Sequence, residues 1–200
     1  MLPCYVLLDL ETTGGNTVLD RITEIAAVRM EGGREGDRRR TRVNPGTPIA
    51  PFIQSRTGIS NAMVREAPEC EAVAPRVLAM LKDAVLVAHN VRFDHGFLLN
   101  EFARIDVALR ANTLCTVRLS RLLYPHHRSH RLDAIMQRLG LTTSPRHRPL
   151  GDAAAALASP LTASRQPGAQ PIRPTARHLP PAHPPPPTPT ATTGRARPGP

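Results

Sequence analysis

Asp9 and Glu11 stand two residues apart at the end of a short apolar run, Tyr5 to Leu10. Successive side chains alternate in an extended strand, so both carboxylates project from one face. Like charges held that close repel. The arrangement is favourable when both stay solvated or when a cation lies between them. Oxygen-only donors select a hard divalent ion such as Mg²⁺ or Mn²⁺ over zinc. The competing reading is a strand that runs out into a solvated acidic turn. Two further acids fall at comparable places. Asp94 follows a second apolar run, Ala84 to Ala88, in the string His89-Asn90-Val91-Arg92-Phe93-Asp94, and Asp152 follows His147 in His147-Arg148-Pro149-Leu150-Gly151-Asp152. A helix N-terminus attracts an acid through its dipole alone. In a layered α/β fold, the carboxyl ends of strands are also where ligand sites collect.

The elements that must carry these acids follow from periodicity. Tyr5 to Leu10 reads as a buried strand, Ile22 to Met30 as a second after the turn signal Gly14-Gly15-Asn16, and Arg38 to Val43 as a third, which suggests an antiparallel meander. Asn44 to Pro68, with Pro45, Pro48, Pro51, Gly58 and Pro68, reads as mostly connection. Val73, Val77, Leu78 and Leu81 recur at helical spacing, with Pro75 implying a helix that starts or bends near it. Ala84 to Ala88 reads as a strand, and Phe97, Leu98, Phe102 and Ile105 mark the next helix. Leu119, Leu122 and Leu123 mark a short helix ending at Pro125. Leu132, Ile135, Met136 and Leu139 mark another stopped by Gly140, and a last helix runs from Pro149 to about Ser159. A meander followed by alternating helices and strands is an α/β layered domain.

Taken together the three acidic strings are far more specific than any one alone. Asp9-Leu-Glu11-Thr12-Thr13-Gly14, His89-Asn90-x-x-Phe93-Asp94 and His147-x-x-x-x-Asp152-Ala153 resemble, in order and approximate separation, the three motifs of the DEDDh family of 3′-to-5′ exonucleases. The epsilon proofreading subunit of bacterial DNA polymerase III belongs to that family. Arg56-Thr57-Gly58-Ile59-Ser60, with Met63-Val64 and Ala67-Pro68, resembles the family's connection, and Leu132-Asp133-Ala134 its penultimate helix. The resemblance spans about Tyr5 to Ala158. It implies an RNase H-like mixed five-stranded sheet flanked by helices, with Asp9, Glu11, Asp94 and Asp152 holding two Mg²⁺ or Mn²⁺ ions and His147 as general base. It further implies that Leu10, Thr12 and Thr13 line the 3′-terminal nucleotide pocket and that His89, Asn90 and Phe93 flank it. Phe93 also reads as ordinary core packing. Arg146 and Arg148 read as phosphate contacts or as solvated loop charge. The implied activity is release of nucleoside 5′-monophosphates from single-stranded or frayed 3′ ends of DNA in proofreading or repair, with a DNA polymerase or repair subunit as a possible partner. An exoribonuclease of the same family and a non-catalytic nucleic-acid-binding module left by C-terminal truncation are the alternatives.

Composition sets the outer bounds. The 200 residues carry 26 Lys+Arg against 16 Asp+Glu, a net charge of +10 that suits a phosphate-bearing partner. Thirteen of the 22 prolines fall after Ala158 in a stretch without acids, so residues 1–158 are expected to be the exonuclease domain and 159–200 a disordered Pro/Arg-rich tail. The last helix is short, a sign of truncation or of a low-complexity extension. No run approaches the ~18 to 20 apolar residues of a membrane span, and no signal peptide is recognisable, so the chain reads as cytoplasmic with no membrane partner. Cys4, Cys70 and Cys115 show no paired spacing and read as small buried apolar residues. His126, His127 and His130 read as loop or helix-cap histidines rather than a zinc site.

Overall fold

The computed structural model describes residues 4–32 and 34–140. Three strands open the chain: β1 (Tyr5–Thr12), β2 (Ile22–Glu31) and β3 (Arg34–Arg42). Two short helices follow, α1 (Pro51–Thr57) and α2 (Asn61–Arg65), and then α3 (Cys70–Leu81), β4 (Val85–Ala88), α4 (Arg92–Ala103), β5 (Asn112–Cys115), α5 (Thr116–Leu123) and α6 (Leu132–Arg138). The sheet has five strands in the order β3-β2-β1-β4-β5. β1–β2 and β2–β3 are antiparallel, β1–β4 and β4–β5 parallel. This is the mixed, RNase H-like sheet flanked by helices that the motifs implied. Among the described residues no helix is long and apolar enough to cross a membrane.

Alternation along β1 assigns its two faces. Val6, Leu8 and Leu10 join Ile25 and Ala27 of β2 and Leu86 and Ala88 of β4 in the main core, beneath α3 and α4. Val73, Val77 and Met80 of α3 and Phe97, Leu98 and Phe102 of α4 complete it, and each large side chain so buried is worth about 1.5–3 kcal/mol. Leu7, Val28 and Val87 point to the opposite face. Asp9 and Glu11 share the parity of Leu7, so the acids stand on the face away from the main core.

Five points differ from the reading of the sequence. The stretch 44–68 is not mostly connection. Pro51 opens α1, Gly58 at φ 72° closes it, and the Ser60 hydroxyl caps α2 by accepting from the Met63 N–H at 3.3 Å. Ile49, Ile53, Ile59 and Val64 then form a separate small core. Pro75 does not mark the start of its helix, since α3 begins five residues earlier and its apolar face (Cys70, Val73, Val77, Leu81) packs on the core; Pro75 lies inside it, the other position the sequence allowed. β3 starts at Arg34 rather than Arg38. β5 was not marked by any pattern, since only its parallel register with β4 makes Asn112 to Cys115 a strand. Of the cysteines, Cys70 and Cys115 are buried, but Cys4 is only half-buried.

One buried ion pair ties the layers together. Glu101 of α4, 1% exposed, accepts from Arg21 Nε at 2.7 Å and Nη2 at 3.0 Å and from the Ile22 N–H at 3.3 Å. Arg104 adds a contact at 3.2 Å to the same carboxylate. The pair fixes α4 against the entry to β2 and holds the β1–β2 loop from its far end. Removing one member of such a pair strands its partner away from full hydration. Glu101→Ala is therefore expected to lower stability by about 3 kcal/mol, read as a lower urea midpoint with an unchanged slope.

Candidate active site

The acids meet where β1 outruns its parallel neighbour. β4 pairs with β1 only from Tyr5 to Leu7, and after Ala88 the chain turns away through Asn90, at φ 64°, into α4. Asparagine tolerates this left-handed backbone better than most residues. The Leu10 N–H donates instead to Asp94 Oδ1 at 3.2 Å. Asp94 lies in the first turn of α4, so one backbone hydrogen bond clips the helix carrying this acid to the strand tip carrying Asp9 and Glu11.

The electrostatics of the cluster are unfavourable as they stand. Asp94 is 4% exposed. Burial, and then the charge of Asp9, push its carboxyl up to about 8, against the pull of backbone N–H groups, including that of Leu10. Burial also raises Glu11, with Asp9 and Glu24 adding repulsion and Arg40 and Arg56 opposing it. A site whose acids raise one another's proton affinity is one that a cation relieves.

The donor set fits a hard divalent ion in kind, being oxygen-only. Among the described residues, though, no three His, Cys, Asp or Glu side chains form a ligand set by themselves. His147 and Asp152, with Arg146, Arg148, the expected last helix and the tail, lie outside the described residues. The described part of the cluster is thus a partial set: Asp9 exposed, Glu11 half-buried and Asp94 buried.

The other expected site residues divide. Leu10 is buried in the main core and contributes its amide. Thr12, 7% exposed, spends its hydroxyl on Gly14 O at 2.6 Å. Thr13 donates to Asp20 Oδ1 at 3.4 Å and accepts from the Arg21 N–H at 3.0 Å. Both hydroxyls therefore shape the β1–β2 loop. Asp20 also accepts from the Asn16 N–H at 2.8 Å, and a Cβ on Gly14 would have to displace its carboxylate. His89 Nδ1 lies 3.0 Å from Thr116 Oγ1. Burial lowers its pKa while Asp133 opposes, so His89 is neutral near pH 7. Phe93 packs its ring on Phe97 at 4.8 Å and is only partly buried, at the core's margin. His130 pairs with Ser120 Oγ at 2.9 Å.

Three side chains gain a place here that motif reading did not give them. Arg40 and Arg56 sit in the field of Glu11, and Asp133 in that of His89. Arg40 is tied to the site only by the register of β3 on β2 and β1, and Asp133 was visible only as part of Leu132-Asp133-Ala134. Arg56 becomes meaningful only once α1 exists.

A mixed five-stranded sheet with acids gathered at the carboxyl ends of two parallel strands defines a nuclease fold of the RNase H-like class. The family model for exonucleases of the RNase T type matches residues 6–159, and the chain belongs to that family. Members of this family depend on divalent metal ions. Among curated relatives, the PolC-type DNA polymerase III of Caldanaerobacter subterraneus is 38% identical over 151 residues, covering 76% of this chain and 11% of the relative. That of Latilactobacillus sakei is 40% identical over 154 residues, covering 74% and 10%. The chain thus spans about a tenth of the length of these polymerases. Among solved structures, exonuclease X in complex with 5′ overhanging duplex DNA superposes with a TM-score of 0.62 at 28% identity, over 80% of this chain and 92% of that one. Exonuclease I of E. coli in complex with a dT13 oligonucleotide gives 0.65 at 23% identity over 82% and 42%, a likeness of fold.

Proposed function

We propose that this chain is a metal-dependent 3′-to-5′ exonuclease that shortens single-stranded or frayed DNA ends and releases nucleoside 5′-monophosphates. The observation that carries the reading is the Leu10 N–H to Asp94 hydrogen bond, which brings a buried acid of α4 to the tip bearing Asp9 and Glu11. Asp9, Glu11 and Asp94, together with Asp152, would hold two Mg²⁺ or Mn²⁺ ions. The chemistry supplied at such a site is acidification of a water and neutralisation of charge on the departing 3′ oxygen. His147 takes the proton from the attacking water, a task suited to an imidazole of unperturbed pKa ~6.5. Leu10, Thr12 and Thr13 form the floor for the terminal nucleotide through the shape of their strand tip and loop. His89, Asn90 and Phe93 flank it, with His89 neutral and able to exchange a hydrogen bond with a sugar or phosphate oxygen. The likeness to polymerase-borne exonuclease segments supports work beside DNA synthesis or repair. Residues 1–158 are the exonuclease unit in this reading.

The test is a 5′-labelled single-stranded DNA incubated with the full chain. With Mg²⁺ or Mn²⁺ it is expected to shorten one nucleotide at a time from the unlabelled 3′ end, and with EDTA to remain intact. A substrate left whole under every divalent condition, or cut internally, refutes the proposal.

A further inference from the structure

The sheet register places a row of arginines on the same face as the acids. Glu11 lies opposite Glu24 of β2, which lies opposite Arg42 of β3; Asp9 lies opposite Ala26, which lies opposite Arg40; and Leu7 lies opposite Val28, which lies opposite Arg38. Directly opposed residues share a face. Arg38, Arg40 and Arg42 therefore stand on the acid-bearing face, two strand spacings from β1, or about 10 Å at ~4.8 Å per strand. All three are exposed. Arg39, opposite Ala27, falls on the other face, as does Arg34, opposite Glu31.

We propose that this row is a phosphate track that holds the substrate strand upstream of its 3′ end. The inference rests on the exonuclease reading and extends it. A single nucleic-acid strand entering the acid cluster from β3 would cross β2 at Ala26, whose methyl group leaves the passage low. Glu24 takes Arg40 Nε at 2.7 Å, which aims the guanidinium and leaves both Nη groups as donors. Glu35 holds the Arg38 guanidinium through contacts to Nε at 2.5 Å and Nη2 at 2.7 Å. Arg42 has no carboxylate within ion-pair distance among the described residues. Beside Arg40 and Arg42 runs an open groove of about 530 Å³, with Glu24 and Glu66 as its acids. Met63 on its wall is 43% exposed, a polarisable surface against which a base can lie. Charge on an edge strand also guards against pairing with other chains, a role indifferent to which face carries it. A phosphate track depends on one face only, and that difference makes the two roles separable.

The experiment measures binding of fluorescent single-stranded DNA to the full chain in EDTA, where no cleavage occurs, for a 3-mer and a 12-mer. The wild type is expected to bind the 12-mer at least about tenfold more tightly. In Arg38→Gln/Arg42→Gln, which spares the partner of buried Glu24, the preference falls to within about twofold. The plot of log affinity against log salt also flattens by about 1.4, at 0.7 per lost phosphate contact. Arg39→Gln keeps both the preference and the slope. No length preference in the wild type, full preference in the double variant, or equal loss in Arg39→Gln would each overturn the track. The cleavage assay described above is scored separately. A wild type that binds by length through this face yet releases no nucleotide refutes the exonuclease reading and leaves the track standing.

Discussion

Asp9→Asn is expected to abolish nucleotide release while leaving the protein at least as stable as the wild type. Asp9 is exposed at the strand tip, so an isosteric amide disturbs no packing. It is also a named source of repulsion for both Glu11 and Asp94. Neutralising it relieves the cluster and removes one of the oxygen anions proposed to hold the metal ions. A fall in rate of at least about 10³, or roughly 4 kcal/mol of lost transition-state stabilisation, is expected on a 3′-labelled oligonucleotide with Mg²⁺. The melting temperature in EDTA should not drop. Activity within tenfold of wild type would remove Asp9 from the site, and a clear loss of stability would make its role structural.

Asp94→Asn yields the second large effect, and its sign runs against the usual behaviour of a carboxylate. Asp94 has a folded-state pKa of about 8 against an ordinary value of 3.8. Between those values the folded chain holds a proton that the unfolded chain has released. The contribution of Asp94 to metal-free stability is therefore greatest below about pH 4 and is lost as pH rises towards 8. Asparagine carries no charge and keeps an oxygen to accept the Leu10 N–H. In EDTA the variant should match wild type near pH 4 and exceed it at pH 8 by roughly 3 kcal/mol, a part of the full shift at 1.36 kcal/mol per unit. Nucleotide release with Mg²⁺ should vanish. Urea denaturation at the two pH values decides the matter. A variant less stable than wild type at pH 8 would mean that the carboxylate is stabilised where it lies.

The parts of this fold that were legible in the sequence are those whose signal is local and whose burial is simple. β1, β2 and β4 showed as apolar runs, and α6 showed as a four-residue apolar repeat stopped by Gly140, which adopts φ 66°. The two helices between residues 44 and 68 escaped because each is only a turn or two long and depends on caps at Pro51, Gly58 and Ser60. β5 escaped because a four-residue strand gains its identity from a neighbour. In the site, period-two alternation put Asp9 and Glu11 together, whereas Asp94 needed the family motif. Glu101 resembled any helix acid, and only the packed structure reveals it as a buried anchor. Arg40 could be recognised only through register, since its closeness to Glu11 passes across an intervening strand.

The bond between Asp94 and position 10 has a consequence for how the sequence can drift. Its donor is a main-chain amide, which every amino acid but proline supplies. The side chain at position 10 can therefore change with the interior it fills, leucine to isoleucine or methionine, while the grip on the helix is retained. Proline there would release Asp94 even if its ring were accommodated.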